Sequence, residues 1–179
     1  MEAITLQTDL VKLRPLEPTD LNFLRQVENN PEFWTISQTV QPFSDYTLAQ
    51  YIEQAHQDIY EAKQQRWVIC DAVKGRCIGF IDLFDFDARN SRVGLGIVIA
   101  AQQDRGKQYG NDALNLMVNY VFHHLSLRQI FVNILVENTP SIGLFSKFGF
   151  ELAGVKKDWI KEGNQFKNEA MYQLIQPQK

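Results

Sequence analysis

The chain has 179 residues, a net charge of −3, 45% hydrophobic and 22% charged residues, and two cysteines. That length suits one domain, spanning 1–179, that buries a core without disulfides or a metal. The acidic balance argues against a broad nucleic-acid-binding surface, the absence of an apolar run of about 20 residues against a membrane span, and MEAITLQTDL against a signal peptide.

Residues 10–16, LVKLRPL, read as a strand. Thr19 is placed to cap a helix from Asp20 to about Glu28, with Leu21, Leu24 and Val27 on one face. Residues 29–46 then read as a long polar and aromatic connection, and connections of that length are often functional. Thr47 and Gln50 form a capping-box pattern for a helix to about Ala62, striped by Leu48, Tyr51, Ile52, Ala55 and Ile59. The period then changes to two: residues 66–71 and 77–86 are expected as paired strands, and RVGLGIVIA at 92–100 as a third. A helix is expected over 108–124, with Ala113, Leu114, Met117, Val118, Tyr120 and Val121 inward. QIFVNILV at 129–136 is apolar throughout, as a central buried strand would be. A short helix follows at 140–148, with Thr139 as cap, Pro140 in its first turn and Gly149 at its end. Residues 150–160 and 165–175 close the chain as a hairpin around Glu162-Gly163-Asn164. Cys70 and Cys77 read as reduced packing residues of a cytoplasmic protein, and no Cys/His set has metal-ligand spacing. His56, His123 and His124 read as helix-surface or packing residues.

The segment RGKQYG at 105–110 lies between a strand and a helix. Helix-start amides lack internal acceptors, the helix dipole is positive there, and glycine lets an anion approach the backbone. The turn therefore reads either as a phosphate cradle with Arg105 and Lys107 adding charge, or as an ordinary strand-to-helix turn. It is not a P-loop, because the chain has no G-x-x-x-x-G-K-[ST]. Nor is it a dinucleotide fingerprint: Gly94-Leu95-Gly96 sits inside a strand with Ile99 where a third glycine belongs.

Two motifs resemble those of the GNAT superfamily of N-acetyltransferases. The family's [QR]-x-x-G-x-[GA] is matched at its ends by Arg105 and Gly110, with Gln108 in place of the middle glycine. Its N-x-x-[AS]-x-x-[LF]-[YF]-x-[KR]-x-G-F is similar to the run from Asn138 through Ser141, Phe145 and Lys147 to Gly149-Phe150. The opening VKLRPLEPTDL and the stretch Trp159 to Glu169 resemble the first strand-helix unit and last hairpin of the branch holding ribosomal-protein N-terminal and polyamine acetyltransferases.

The resemblance implies an α/β (α+β) fold with a mixed, mostly antiparallel central sheet of about six to seven strands and helices on both faces. It also implies acetyl-CoA as acyl donor and no metal. The pyrophosphate would lie on the backbone of Arg105, Gly106, Lys107, Gln108, Tyr109, Gly110 and Asn111. The pantetheine arm would pair with Ile97, Val98 and Ile99, and Asn138, Ser141, Phe145 and Lys147 would complete the cofactor side. The family's fourth-strand glutamate falls at Gly94 and its tyrosine at Phe145, so neither usual proton carrier is present.

Asp82 in GFIDLFDF is the best remaining carboxylate. It either enters a cleft beside Phe80 and Phe84, to hold or deprotonate an amine, or faces solvent. Asp82 with Ser141 forms the expected catalytic set. Phe33, Trp34, Asp82, Phe84 and Trp159 form the expected acceptor wall, the aromatic residues otherwise being packing anchors. The implied reaction is direct attack by a primary amine in a ternary complex, since no Cys-His or Ser-His pair is evident. A polyamine, a protein N-terminus and another small amine stay open as acceptors. A CoA-binding sensor with little turnover is the alternative. The last hairpin offers edges for a homodimer or higher oligomer.

Overall fold

A computed structural model describes residues 5–176. The first four residues, part of the stretch read for a signal peptide, and the last three lie outside it.

Seven strands form one sheet: β1 (Val11–Pro15), β2 (Gln65–Asp71), β3 (Cys77–Asp87), β4 (Arg92–Ile99), β5 (Gln129–Leu135), β6 (Glu151–Glu162) and β7 (Gln165–Ile175), in the order β1-β2-β3-β4-β5-β7-β6. Every neighbouring pair is antiparallel except β4 with β5. That parallel pair needs a crossover, which α5 (Tyr109–Asn119) supplies. The expected mixed, mostly antiparallel α/β sheet is therefore the observed one.

Two hydrophobic layers cover the sheet. On one face α1 (Leu21–Glu28) and α3 (Asp45–Glu53) set Leu24, Leu48 and Ile52 against Val68 and Phe80. On the other, α5 sets Ala113, Leu114 and Met117 against Ile69, Ile81, Leu83 and Leu95. Phe80, Leu24, Ile81 and Leu114 are fully buried. Each such side chain contributes about 1.5–3 kcal/mol relative to exposure.

The helical half departs from the sequence expectation at its caps. The first helix is preceded by a 3-10 turn, Pro18–Asp20, closed by a reciprocal Glu17/Asp20 capping box rather than by Thr19. The long connection contains a helix, α2 (Pro31–Ser37). Asn30 caps it by accepting from the Glu32 amide at 3.0 Å, and Pro31 opens its first turn. Helix α3 is capped by Ser44, which accepts from the Thr47 amide at 3.1 Å, so Thr47 lies inside the helix. The chain then turns at Gln54–His56 and continues as α4 (Ile59–Ala62), capped by Asp58. The last turn expected of α5 is a π turn, Tyr120–His124. Helix α6 (Thr139–Lys147) is capped by Asn138 rather than Thr139, and Gly149 ends it at φ +82°.

Strand β5 lies between β4 and β7, yet its burial alternates instead of being complete. The half-open face is where β4 and β5 part. Their pairing ends after three steps, at Gly94 with Phe131.

Candidate active site

The parting of β4 and β5 opens a cleft whose lining includes Gly96 and Ile97 from β4, Asn133 from β5, and Asn138, Ser141 and Phe145 at the start and core of α6. Beyond Gly94 the edge of β4 facing the cleft has no β5 partner, which leaves Ile97, Val98 and Ile99 on an unpaired strand edge. The N-terminus of α5 points at the same place. A Cβ on Gly110 would lie 3.7 Å from Leu144 and 4.0 Å from Ile97, so the first turn of α5 meets both β4 and α6 there.

The turn itself is a ring of free donors. None of the backbone amides from Gly106 to Asn111 finds an acceptor among the described residues; the hydrogen-bonded amides on either side are those of Arg105, to Gln102, and Asp112, to Gln108. Gly106 at φ +75° and Gln108 at φ +68° bend the backbone so that successive N–H groups converge, an anion-binding concavity. Gln108 thus holds the left-handed conformation that glycine favours, and it is the position where the sequence departs from the family pattern.

Side chains of the turn have other tasks. Arg105, expected to add charge for a phosphate, instead donates to the Ile99 carbonyl at 3.1 Å and to Glu32 of α2 at 2.5 Å, with its guanidinium 5.6 Å from the Phe33 ring. It ties the end of β4 to α2. Tyr109 is buried, and its hydroxyl donates to Asp71 at 2.8 Å, so only its amide belongs to the turn. Asp104 is buried and accepts two bonds from Arg76, at 2.6 and 2.8 Å, which anchors the turn to the β2–β3 hairpin. Lys107 and Lys147 are exposed.

Asp82 stands opposite Arg66 on β2 and Gly96 on β4, outside the residues lining the cleft, and Arg66 grips both its oxygens, at 2.7 and 2.8 Å. Arg66 also donates to Glu28 and lies over the Phe80 ring at 4.9 Å. Burial opposes the guanidinium's charge, and the two carboxylates hold it charged. With both oxygens taken by one guanidinium, the Asp82 carboxylate offers neither of them free to an amine.

At Gly94, where the resemblance puts the family's glutamate, there is no room for a side chain. A Cβ on Gly94 would lie 2.3 Å from the Phe84 ring, and one on Gly96 would lie 3.7 Å from it. Phe84 fills the space that a side chain at residue 94 would need, with its own ring edge-on to Phe131 at 5.9 Å. Phe145 is buried edge-on to Phe150 and brings no hydroxyl to the cleft.

None of the residues expected as an acceptor wall, Phe33, Trp34, Asp82, Phe84 and Trp159, is among the residues lining the cleft. Phe33 and Trp34 lie on α2, but the Trp34 indole donates to the Glu28 carbonyl at 2.9 Å, and it is Thr35 and Ile36 that reach the cleft. Thr35 donates to Glu162 at 2.8 Å and so fastens α2 to the last hairpin. Trp159, expected opposite, is exposed in a bulge of β6 under the Lys156 ammonium and is not among the lining residues. Asn138 accepts from the Ser141 amide at 3.3 Å, which explains the spacing of that pair as a helix cap.

The sequence reading missed Glu169, Asn133, Arg66 and Asp104. Glu169 follows Lys167 and Asn168 in a strand of mixed composition, so nothing in the local sequence marked it. The Arg66–Asp82 pair needed the register of a hairpin whose partners sit 16 residues apart.

A model of the acetyltransferase (GNAT) domain matches residues 11–151. The N-acetyltransferase p20 of Bacillus licheniformis is 28% identical over 172 residues, covering 96% of each chain. The spermidine N(1)-acetyltransferase of Escherichia coli K12 is 26% identical over 172 residues, covering 94% of this chain and 87% of its own. Among solved structures, the spermidine N-acetyltransferase of Vibrio cholerae in complex with CoA and spermine superposes with a TM-score of 0.84 at 23% identity, covering 94% of this chain and 97% of that one. The free-amide turn, the parted strands and the family match agree: this chain belongs to the acetyltransferase (GNAT) domain family, enzymes of acyl transfer to an amine.

Proposed function

We propose that the chain, as one domain, transfers acetyl from acetyl-CoA to a primary amine by direct attack in a ternary complex. The carrying observation is the run of free amides from Gly106 to Asn111 at the mouth of the β4–β5 parting. These donors fit a pyrophosphate, and the unpaired β4 edge at Ile97–Ile99 fits the amides of a pantetheine arm by strand addition. Asn138, through the cap it places on α6, and Ser141 line the inner end of the cleft with Phe145, while Lys147 stays at the solvent side. When bound there, acetyl-CoA supplies the activated thioester. The chain's residues hold it, exclude water and receive the amine. Cys70 is buried and Cys77 lies near Arg14 and Asp20, which supports direct attack over a thiol intermediate.

The acceptor is a small cationic amine such as a polyamine, in preference to a protein N-terminus. Glu28 and Asp82 around Arg66 form a cluster with one net negative charge, and relatives include spermidine acetyltransferases. Asp82 acts there as part of a charged wall. A cytoplasmic setting, where thiols stay reduced, suits the two free cysteines.

Calorimetric titration with acetyl-CoA tests this reading, followed by thiol release with an amine panel. Micromolar binding is expected, with a gain of about 2.7 kcal/mol in stability at 100 times the dissociation constant. No binding at millimolar ligand overturns it. Binding without release for any amine favours the sensor alternative.

A further inference from the structure

With Gly94 and Phe145 unable to carry protons and Asp82 gripped by Arg66, the cleft retains one carboxylate. Glu169 on β7 is 7% exposed and lines the cleft together with Gly96, Asn138 and Ser141. It stands opposite Leu135 on β5, which makes it the diagonal neighbour of Asn133 on the same face. The Asn133 side-chain oxygen is buried and has no hydrogen-bond donor among the described residues. An orphaned amide oxygen beside a carboxylate is a site for an N–H-rich cation, because desolvated acceptors cost free energy until a donor meets them.

The geometry points to Glu169 as the proton acceptor for the incoming amine, with Asn133 taking one of the amine's N–H bonds. This rests on the acetyltransferase reading above. The ammonium gives one proton to the Glu169 carboxylate, which later releases it to solvent. The freed nitrogen lone pair forms the C–N bond as the C–S bond breaks, and a second proton passes from nitrogen to the departing sulfur. The third stays on the amide product.

The charged groups facing Glu169 are few. Lys156 of β6 forms an ion pair with it and lies 4.8 Å from the Trp159 ring. Lys167, two residues along β7, is held by Glu137 and Glu162. Strand β5 presents the uncharged Asn133 and Leu135, and α2 and α6 present Thr35, Ile36, Asn138 and Ser141. An arriving ammonium therefore competes with Lys156 for the Glu169 oxygens.

The experiment compares wild type with Glu169→Gln, Glu169→Asp and Lys156→Met. Calorimetry reads CoA binding, and then spermidine binding to the CoA-loaded, non-acetylated protein. Thiol release is followed over pH with spermidine, glycinamide and a serine-initiated peptide. Glu169→Gln should leave the CoA dissociation constant within about twofold, weaken spermidine binding about tenfold and lower kcat by about 100-fold or more. Glu169→Asp should recover part of that loss. Lys156→Met should tighten spermidine binding, since it removes the cation that competes for the Glu169 carboxylate. A Glu169→Gln protein with wild-type kcat and pH profile overturns the assignment alone. A wild-type chain that fails to bind CoA, or binds it and transfers to none of the three amines, overturns the acetyltransferase reading and this with it.

Discussion

Gly94 shows how one residue closes one chemical route and explains itself. Its absent side chain leaves room for the Phe84 ring, 2.3 Å from where a Cβ would stand. Installing the family's glutamate by Gly94→Glu should therefore destabilise the fold, by about 2–4 kcal/mol in urea unfolding, because ring and carboxylate claim one volume. Adding Phe84→Ala should return a large part of that loss, and the two effects should be non-additive. Full stability in Gly94→Glu alone would show that the ring moves aside at little cost. The family resemblance alone set a glutamate against residue 94. It did not reveal the aromatic occupant, which comes from a neighbouring strand.

At the scale of elements, the anion turn and α5 carry the cofactor side. Gln108 pays for its left-handed backbone by about 1–2 kcal/mol, partly offset because glycine loses about 0.5–1 kcal/mol more backbone entropy on folding. Gln108→Gly should thus raise stability by about 0.5 kcal/mol, read as a small rise in the urea midpoint. It should also tighten acetyl-CoA binding, since the bare backbone admits the phosphate more closely. A lower midpoint together with unchanged affinity would mean that the Gln108 side chain, which accepts from the Asn111 amide group, holds the turn. The order strand, turn, helix was legible here from period and glycine placement. The α2 helix was not. Its seven residues are too short for a periodic signal, and the Asn30-Pro31 start that defines it resembles a loop.

Over the whole molecule, three buried aspartates brace the ends of the sheet. Arg76 holds the Asp104 carboxyl below the usual carboxylate range, and the Lys74 amide and the Tyr109 hydroxyl do the same for Asp71. Burial pushes Asp20 up, but Arg14 and the Glu17 amide outweigh it and leave it lowered. A carboxyl with a depressed folded pKa binds its proton more readily in the unfolded chain. Stability is then fully present above the ordinary carboxylate range and is lost as pH falls through it. The thermal midpoint should be flat from about pH 6 to 8 and drop steeply below about pH 4. Asp104→Asn should cost about 1.5–3 kcal/mol at neutral pH and make that acid limb shallower. An acid limb of unchanged steepness in this variant would remove Asp104 from the set.

The sequence by itself determined the strand order, the helices α1, α5 and α6, and the family motifs at residues 105–110 and 138–150. Those properties are local, written in period, capping residues and short spacings. Only the tertiary structure decided that Arg66 takes both oxygens of Asp82, that the Arg105 side chain reaches α2, and that Glu169 and Asn133 line one cleft. Each of these depends on strand register or on where β4 and β5 part. Register is fixed by burying a whole sheet face at once, which no single stretch of sequence encodes.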